Sequence, residues 1–263
     1  TLPGKPAVSG QGGPAHADAK LHHRTRGAEV QAQPQARVRQ SGSGRVSRQL
    51  AFDLPSAEAM TREHFFVAPS NALALQAVED WRNWPGRKLL VVGPDGAGKT
   101  HLAHVWAALA DAVILSAGTL AAADIASLSG RAVVVEDADR IGAAEAQLFH
   151  LHNLVTTTGA LLLTARTPPR DWGLHLPDLV SRMQATPIAH LDAPDDALLS
   201  AVLVKLFADR QVAVPANLIP YLVSRMPRSI GAARALVAAL DARALAAGRP
   251  ITRALAGEVL GAE

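Results

Sequence analysis

Gly93-Pro94-Asp95-Gly96-Ala97-Gly98-Lys99-Thr100 satisfies the phosphate-binding pattern GxxxxGK[ST] at every fixed position. Its flanks make it decisive for the fold. Arg87-Lys88-Leu89-Leu90-Val91-Val92 reads as a short buried strand. His101-Leu102-Ala103-His104-Val105-Trp106 and the alanines that follow read as a helix whose N-terminus faces the phosphates. The glycines let the backbone curl so that successive N–H groups point at phosphate oxygens. Lys99 adds a positive charge, and the Thr100 hydroxyl is a ligand for Mg²⁺. Gly93, Pro94, Asp95, Gly96, Ala97, Gly98, Lys99, Thr100 and His101 are therefore the candidate cofactor-binding residues, and the ligand class is a nucleotide polyphosphate such as ADP or ATP.

On either side of this loop the sequence alternates short apolar runs with helical stretches, the pattern of an α/β domain whose parallel sheet is covered on both faces. Candidate strands fall at 88–92, 112–116, 132–136, 160–164 and 187–191. From about residue 194 only helical periodicity remains, at 197–208, 216–224 and 230–247, with a last helix after Ile251-Thr252. Pro215, Pro220, Pro227 and Gly248-Arg249-Pro250 punctuate these helices. The expected layout is a nucleotide-binding domain at 55–192 and a small helical domain at 193–263.

The chain has 263 residues, 49% of them hydrophobic, enough for one or two domains with real cores. It has no cysteine, which excludes disulfides and thiolate metal sites and fits a reducing cytoplasm. No apolar stretch approaches the roughly 20 residues that span a bilayer, so no membrane partner is expected. The ten histidines show no paired ligand spacing. The net charge of +3 is unevenly spread: residues 1–48 carry eight Lys or Arg against Asp18 and Glu29, so the remainder is slightly acidic. A slightly acidic body argues against a broad duplex-binding face, which needs many Lys and Arg contacts to phosphates. Residues 1–48 are rich in Gly, Pro, Gln and Ser and read as a disordered basic tail. The sequence opens on Thr1 rather than Met, and whether this tail is native stays open.

Two further runs carry chemistry. Val133-Val134-Val135-Glu136-Asp137 is an apolar strand ending in two carboxylates, as in a Walker B element. One carboxylate, Glu136, is read as an Mg²⁺ ligand together with Thr100, and the other, Asp137, as the group that orients attacking water. Leu161-Leu162-Leu163 leads into Thr164-Ala165-Arg166, a place for a polar group that senses the γ-phosphate, and Arg182 follows in Asp178-Leu179-Val180-Ser181-Arg182.

Together these residues resemble the replication-initiator branch of the AAA+ ATPases. Phe66-Val67-Ala68-Pro69-Ser70-Asn71 is similar to that branch's adenine-side box, Thr164-Ala165-Arg166-Thr167-Pro168-Pro169 to its sensor 1 loop, and Leu179-Val180-Ser181-Arg182 to its arginine-finger box. Gly248-Arg249-Pro250-Ile251-Thr252 matches the point where the initiator's lid ends. The resemblance implies an AAA+ P-loop fold with a five-stranded parallel sheet and an all-α lid. Thr164 would be the sensor and Arg182 a finger reaching a neighbour's nucleotide. Two positions depart from the pattern: Gly231 lies where the sensor 2 arginine normally sits, with Arg228 and Arg234 nearby, and Arg166 lies where related loops often carry an acid. Both point to weak intrinsic ATP hydrolysis.

Gln49-Leu50-Ala51-Phe52-Asp53-Leu54 resembles the short peptide that binds the bacterial sliding clamp, with Gln49 at the pocket rim and Leu50, Phe52 and Leu54 as apolar anchors. The initiator continues into a helix-turn-helix domain about where Glu263 stands, so sequence-specific duplex reading is not expected. An initiator-like body behind a clamp peptide resembles the Hda group of regulators. That resemblance implies as partners DnaA and the DNA polymerase III beta sliding clamp, with DNA touched indirectly through the clamp, and it allows a homodimer. The alternative is a DnaC-like helicase loader, which would need single-strand contacts that no basic-aromatic interleaving supports.

Overall fold

In this computed structural model the described residues are 60–155 and 159–261. The basic tail at 1–48 and the expected clamp peptide at Gln49, Leu50, Phe52 and Leu54 lie outside them.

The sheet is built from β1 (Lys88–Val92), β2 (Val113–Ser116), β3 (Ala132–Glu136), β4 (Ala160–Ala165) and β5 (Ile188–His190). All pairings are parallel, in the order β2-β3-β4-β1-β5. The inner strands are apolar runs because both faces are covered: every residue of β1 and β4 is buried. Alternate residues nevertheless serve different cores. Leu90, Val92, Val133, Val135, Leu161 and Leu163 pack on one face with α3 (Glu145–Leu154) and α4 (Pro177–Gln184). Leu89, Val91, Val134 and Leu162 pack on the other with α1 (Ala72–Glu79) and α2 (Lys99–Ala110). The edge strands are the short ones, a common protection against edge-to-edge pairing.

A third cluster gathers α5 (Asp196–Asp209), α6 (Leu218–Val223), α7 (Ile230–Ala247) and α8 (Arg253–Leu260) around Leu203, Phe207, Leu222, Val237, Leu240 and Leu255. Three of these helices carry side-chain caps: Asp195 accepts from the Leu198 N–H, Ser229 from Ala232 and Thr252 from Leu255. Gly248 ends α7 in the left-handed conformation at φ 59°. No helix among the described residues is long and apolar enough to cross a membrane.

The sequence expectations shift by one or two residues at several ends. β2 starts at Val113 because the Ala112 N–H closes the end of α2 on the Ala107 carbonyl. β5 starts at Ile188, since Pro187 has no N–H to give, and ends at His190. α2 begins at Lys99, two residues early, directly after Gly98 at φ 108°. α6 occupies Leu218–Val223, inside the expected 216–224.

Candidate functional site

The parallel register brings the C-terminal strand ends together. Val92 pairs with Ala165, Val135 with Leu163, and Ser116 with Glu136, so the loops after β1, β3 and β4 emerge on one edge of the sheet. Open α/β sheets place their ligands at this edge.

The loop after β1 is shaped by close approaches. Gly96 sits at φ 75°, and a Cβ there would fall 1.9 Å from Ser229 Oγ and 2.7 Å from Ser229 Cβ. The Ile230 N–H donates to the Gly96 carbonyl at 2.9 Å, so the first turn of α7 lies directly on the phosphate loop. Lys99 is buried, and its ammonium donates to the Gly93 carbonyl at 2.7 Å and the Pro94 carbonyl at 2.9 Å. Burial pushes the Lys99 ammonium below its ordinary range. The carboxylates of Asp95, Asp137 and Asp139 oppose that, and Arg166 adds to it. Thr100 is exposed on the first turn of α2.

Glu136 ends β3 with one carboxylate oxygen buried and without a hydrogen-bond partner among the described residues. Asp137 takes a left-handed conformation at φ 54°, strain that an aspartate tolerates and that is concentrated at functional sites. Its N–H donates to Thr164 Oγ1 at 3.2 Å, tying the loop after β3 to β4. Asp139 is a site residue absent from the sequence reading. Its nearly buried carboxylate accepts from Arg166 Nε at 2.9 Å and the Arg166 N–H at 3.3 Å. The signal was its place three residues after Glu136, opposite an arginine where an acid was expected.

Beside the loop lies a cavity of about 660 Å³ between the 64–71 segment, the loop and helices α5 and α7. Phe66, Asn71, Gly98, His101, Ile230 and Arg234 are among its walls. Asn71 shapes the rim by accepting from the Ala68 N–H at 2.9 Å and donating to the Phe66 carbonyl at 2.8 Å. The Ser70 N–H donates to Asp195 and the Asp192 N–H to the Ser70 carbonyl, which fastens this segment to the start of α5. His101 meets the Phe65 ring edge-on at 5.1 Å and contacts the Thr61 carbonyl at 3.0 Å, and burial lowers its pKa.

The two arginines near Gly231 part company. Arg228 is engaged with Asp196 at 2.7 Å and with the Pro194 carbonyl at 3.2 Å, while Arg234 lines the cavity. Gly231 itself is exposed, and a methyl added there would have Ser229 Oγ, at 3.5 Å, as its nearest atom, so the position has room for a side chain.

Arg182 stands apart from all of these. It is exposed in the last turn of α4, its guanidinium 5.0 Å from the centre of the Phe149 ring. Lys88 is buried where β1 enters the sheet. Burial lowers its pKa and the nearby Arg182 charge lowers it further. The phosphate loop leaves from the other end of β1, four residues on, or about 13 Å at ~3.3 Å per residue.

A parallel sheet in this order, with a phosphate loop after the first strand of the chain and helices after its last, is the AAA+ fold. No protein-family model matches the sequence. The chain is 27% identical over 270 residues to the chromosomal replication initiator protein DnaA of Thermomicrobium roseum, covering 88% of this chain and 56% of that one. It thus spans about half the length of that relative. Among solved structures it is similar to domain III of Thermotoga maritima DnaA, with TM-score 0.66 and 19% identity over 77% of this chain and 95% of that one. It is also similar to AMPPCP-bound Aquifex aeolicus DnaA, with TM-score 0.59 and 17% identity over 70% and 65% of the two chains. The Thermotoga maritima RuvB branch migration motor follows, with TM-score 0.59 and 19% identity over 78% and 72%. In fold the chain is a DnaA-like AAA+ protein.

Proposed function

We propose that the chain is a nucleotide-binding regulator of replication initiation that acts, in the manner of Hda, by offering Arg182 to ATP held by DnaA. The observation that carries this reading is the separation between the two sites. The phosphate loop, Asp137, Asp139, Thr164 and the cavity share one edge of the sheet, while Arg182 is exposed toward the other. An arginine so placed serves a nucleotide on another chain rather than its own, as trans fingers do.

The residues at the loop fit a magnesium nucleotide. The close-packed glycine at Gly96, the buried Lys99 and the partnerless Glu136 oxygen are the features such a ligand uses. Lys99 and the loop N–H groups would bind the phosphates, Thr100 and Glu136 would hold Mg²⁺, and Asp137 and Thr164 would orient groups at the γ-phosphate. The base would enter the cavity beside Phe66 and Asn71. Mg²⁺, when bound, would supply charge neutralisation at the phosphates. In this reading the segment Gln49 to Leu54 ties the chain to the DNA-loaded sliding clamp.

The test follows DnaA-bound ATP over time with clamp on DNA, comparing the wild-type chain, Arg182→Ala and no added protein. Faster loss with wild type alone supports the reading. Three coincident curves overturn it, and single-strand-dependent helicase delivery with the same three curves would identify a loader instead.

A further inference from the structure

We propose that Arg166 is a γ-phosphate contact supplied by the chain to its own nucleotide, held in store by a weak ion pair with Asp95 and aimed by Asp139. This rests on the nucleotide-binding reading above. Arg166 follows Thr164 out of β4 and is anchored on one side only. Its Nε and its backbone N–H both donate to the nearly buried carboxylate of Asp139, at 2.9 and 3.3 Å, which fixes the side chain's direction. Its free end points back over the phosphate loop, where Nη1 lies 3.6 Å from Asp95 Oδ2.

The two contacts differ in strength. Asp139 is sheltered and doubly bonded, whereas the Asp95 side chain is 75% exposed and its pair with Arg166 is long. Exposed pairs of that kind contribute little and exchange readily. A phosphate oxygen arriving at the loop offers the guanidinium a shorter, charge-assisted partner than Asp95 does. Asp95 belongs to the same loop as Lys99, the cation that the pattern places at the β- and γ-phosphates, so Arg166 already reaches the phosphate side of the site. Two arginines therefore divide between two nucleotides: Arg166 for the chain's own and Arg182 for the partner's. The Asp95 contact breaks as the phosphate contact forms, so Arg166 distinguishes a triphosphate from a diphosphate.

Calorimetry with Mg²⁺ and either AMPPCP or ADP tests this on the wild-type chain and Arg166→Gln. The expected result is a loss of about tenfold for AMPPCP, from one charge-assisted contact, with ADP changed less than about twofold. Because Arg166→Gln leaves the sheltered Asp139 without its partner, the double variant Arg166→Gln with Asp139→Asn removes both charges and is expected to show the same selective loss. Equal losses for both nucleotides, or none for either, overturn the proposal while leaving nucleotide binding intact. Failure of the wild-type chain to bind ADP at all overturns the underlying site assignment instead.

Discussion

Replacing Gly96 with alanine tests the seating of α7 on the phosphate loop. Three penalties follow from the geometry. A non-glycine residue at φ 75° costs on the order of 1 kcal/mol. The new methyl would lie 1.9 Å from Ser229 Oγ, which can rotate away, but also 2.7 Å from Ser229 Cβ and 3.2 Å from its Cα, which cannot. Rotating the hydroxyl breaks the cap on the Ala232 N–H, and backing the helix away stretches the Ile230 N–H bond to the Gly96 carbonyl, each about 1 kcal/mol. The total is about 2–3 kcal/mol, or a fall of roughly 4–12 °C in Tm for a domain of this size. Gly231→Ala is the control. Its methyl meets nothing closer than 3.5 Å and it sits in the first turn of a helix, so it is expected to leave Tm unchanged or raise it by a degree or two. Differential scanning calorimetry of the two variants reads both. A Gly96→Ala melt within a degree of wild type would refute the described contact between the loop and the start of α7.

Four other outcomes are expected. Lys99→Ala weakens ADP and ATP binding by about tenfold or more, through loss of a charge-assisted contact, with the fold retained by circular dichroism. Gln49→Ala with Leu50→Ala abolishes capture by the sliding clamp without changing Tm, whereas a large Tm loss would mark the segment as structural. ATP turnover by the isolated chain, measured as phosphate release, is expected to be slow and to rise in Gly231→Arg, and an unchanged rate would assign sensing to Arg234 or another group. His152 is buried and held neutral, its pKa lowered to about 4 by burial and then by Lys88 and Arg182. It takes up its proton on unfolding, so its contribution is complete above pH 6.5 and is lost as pH falls toward 4. The shift of about 2.5 units corresponds to about 3 kcal/mol, and His152→Gln should flatten the Tm–pH curve across that window.

The sheet was legible because its inner strands must be apolar on both faces. Leu89-Leu90-Val91-Val92 and Leu161-Leu162-Leu163 have no other reading beside a phosphate loop, and the loop's own pattern assigned the edge at which a ligand enters. What stayed hidden depends on pairing between distant residues. Asp139 was not singled out in the sequence, since its meaning lies in Arg166, 27 residues on. The role of Gly96 depends on Ser229, a partner that only the seating of α7 supplies. Arg228 and Arg234 were equivalent in the sequence. Asp196 separates them by engaging the first and leaving the second in the cavity wall.

On the proposed function, ligand binding and partner activation would be separable, because the phosphate loop and Arg182 lie on different parts of the fold. Everything that would register a nucleotide converges on the loop: Ile230 donates to it, Arg166 reaches over it, and the 66–71 segment is fastened through Ser70 and Asp195 to the helix that follows β5. A ligand that displaces the Ile230 or Ser70 contacts acts first on the seating of α7 and α5. Arg182 depends on none of them. It rests on Phe149 of α3 and lies near Lys88, both on elements held by the buried core of the sheet. Its position is therefore set by packing that a nucleotide does not alter. If Arg182 is the proposed finger, signals from the loop would reach a partner through the orientation of the C-terminal helices, with Arg182 held in place. Variants at the loop should change when the chain engages its partner, and variants at Arg182 what it does once engaged.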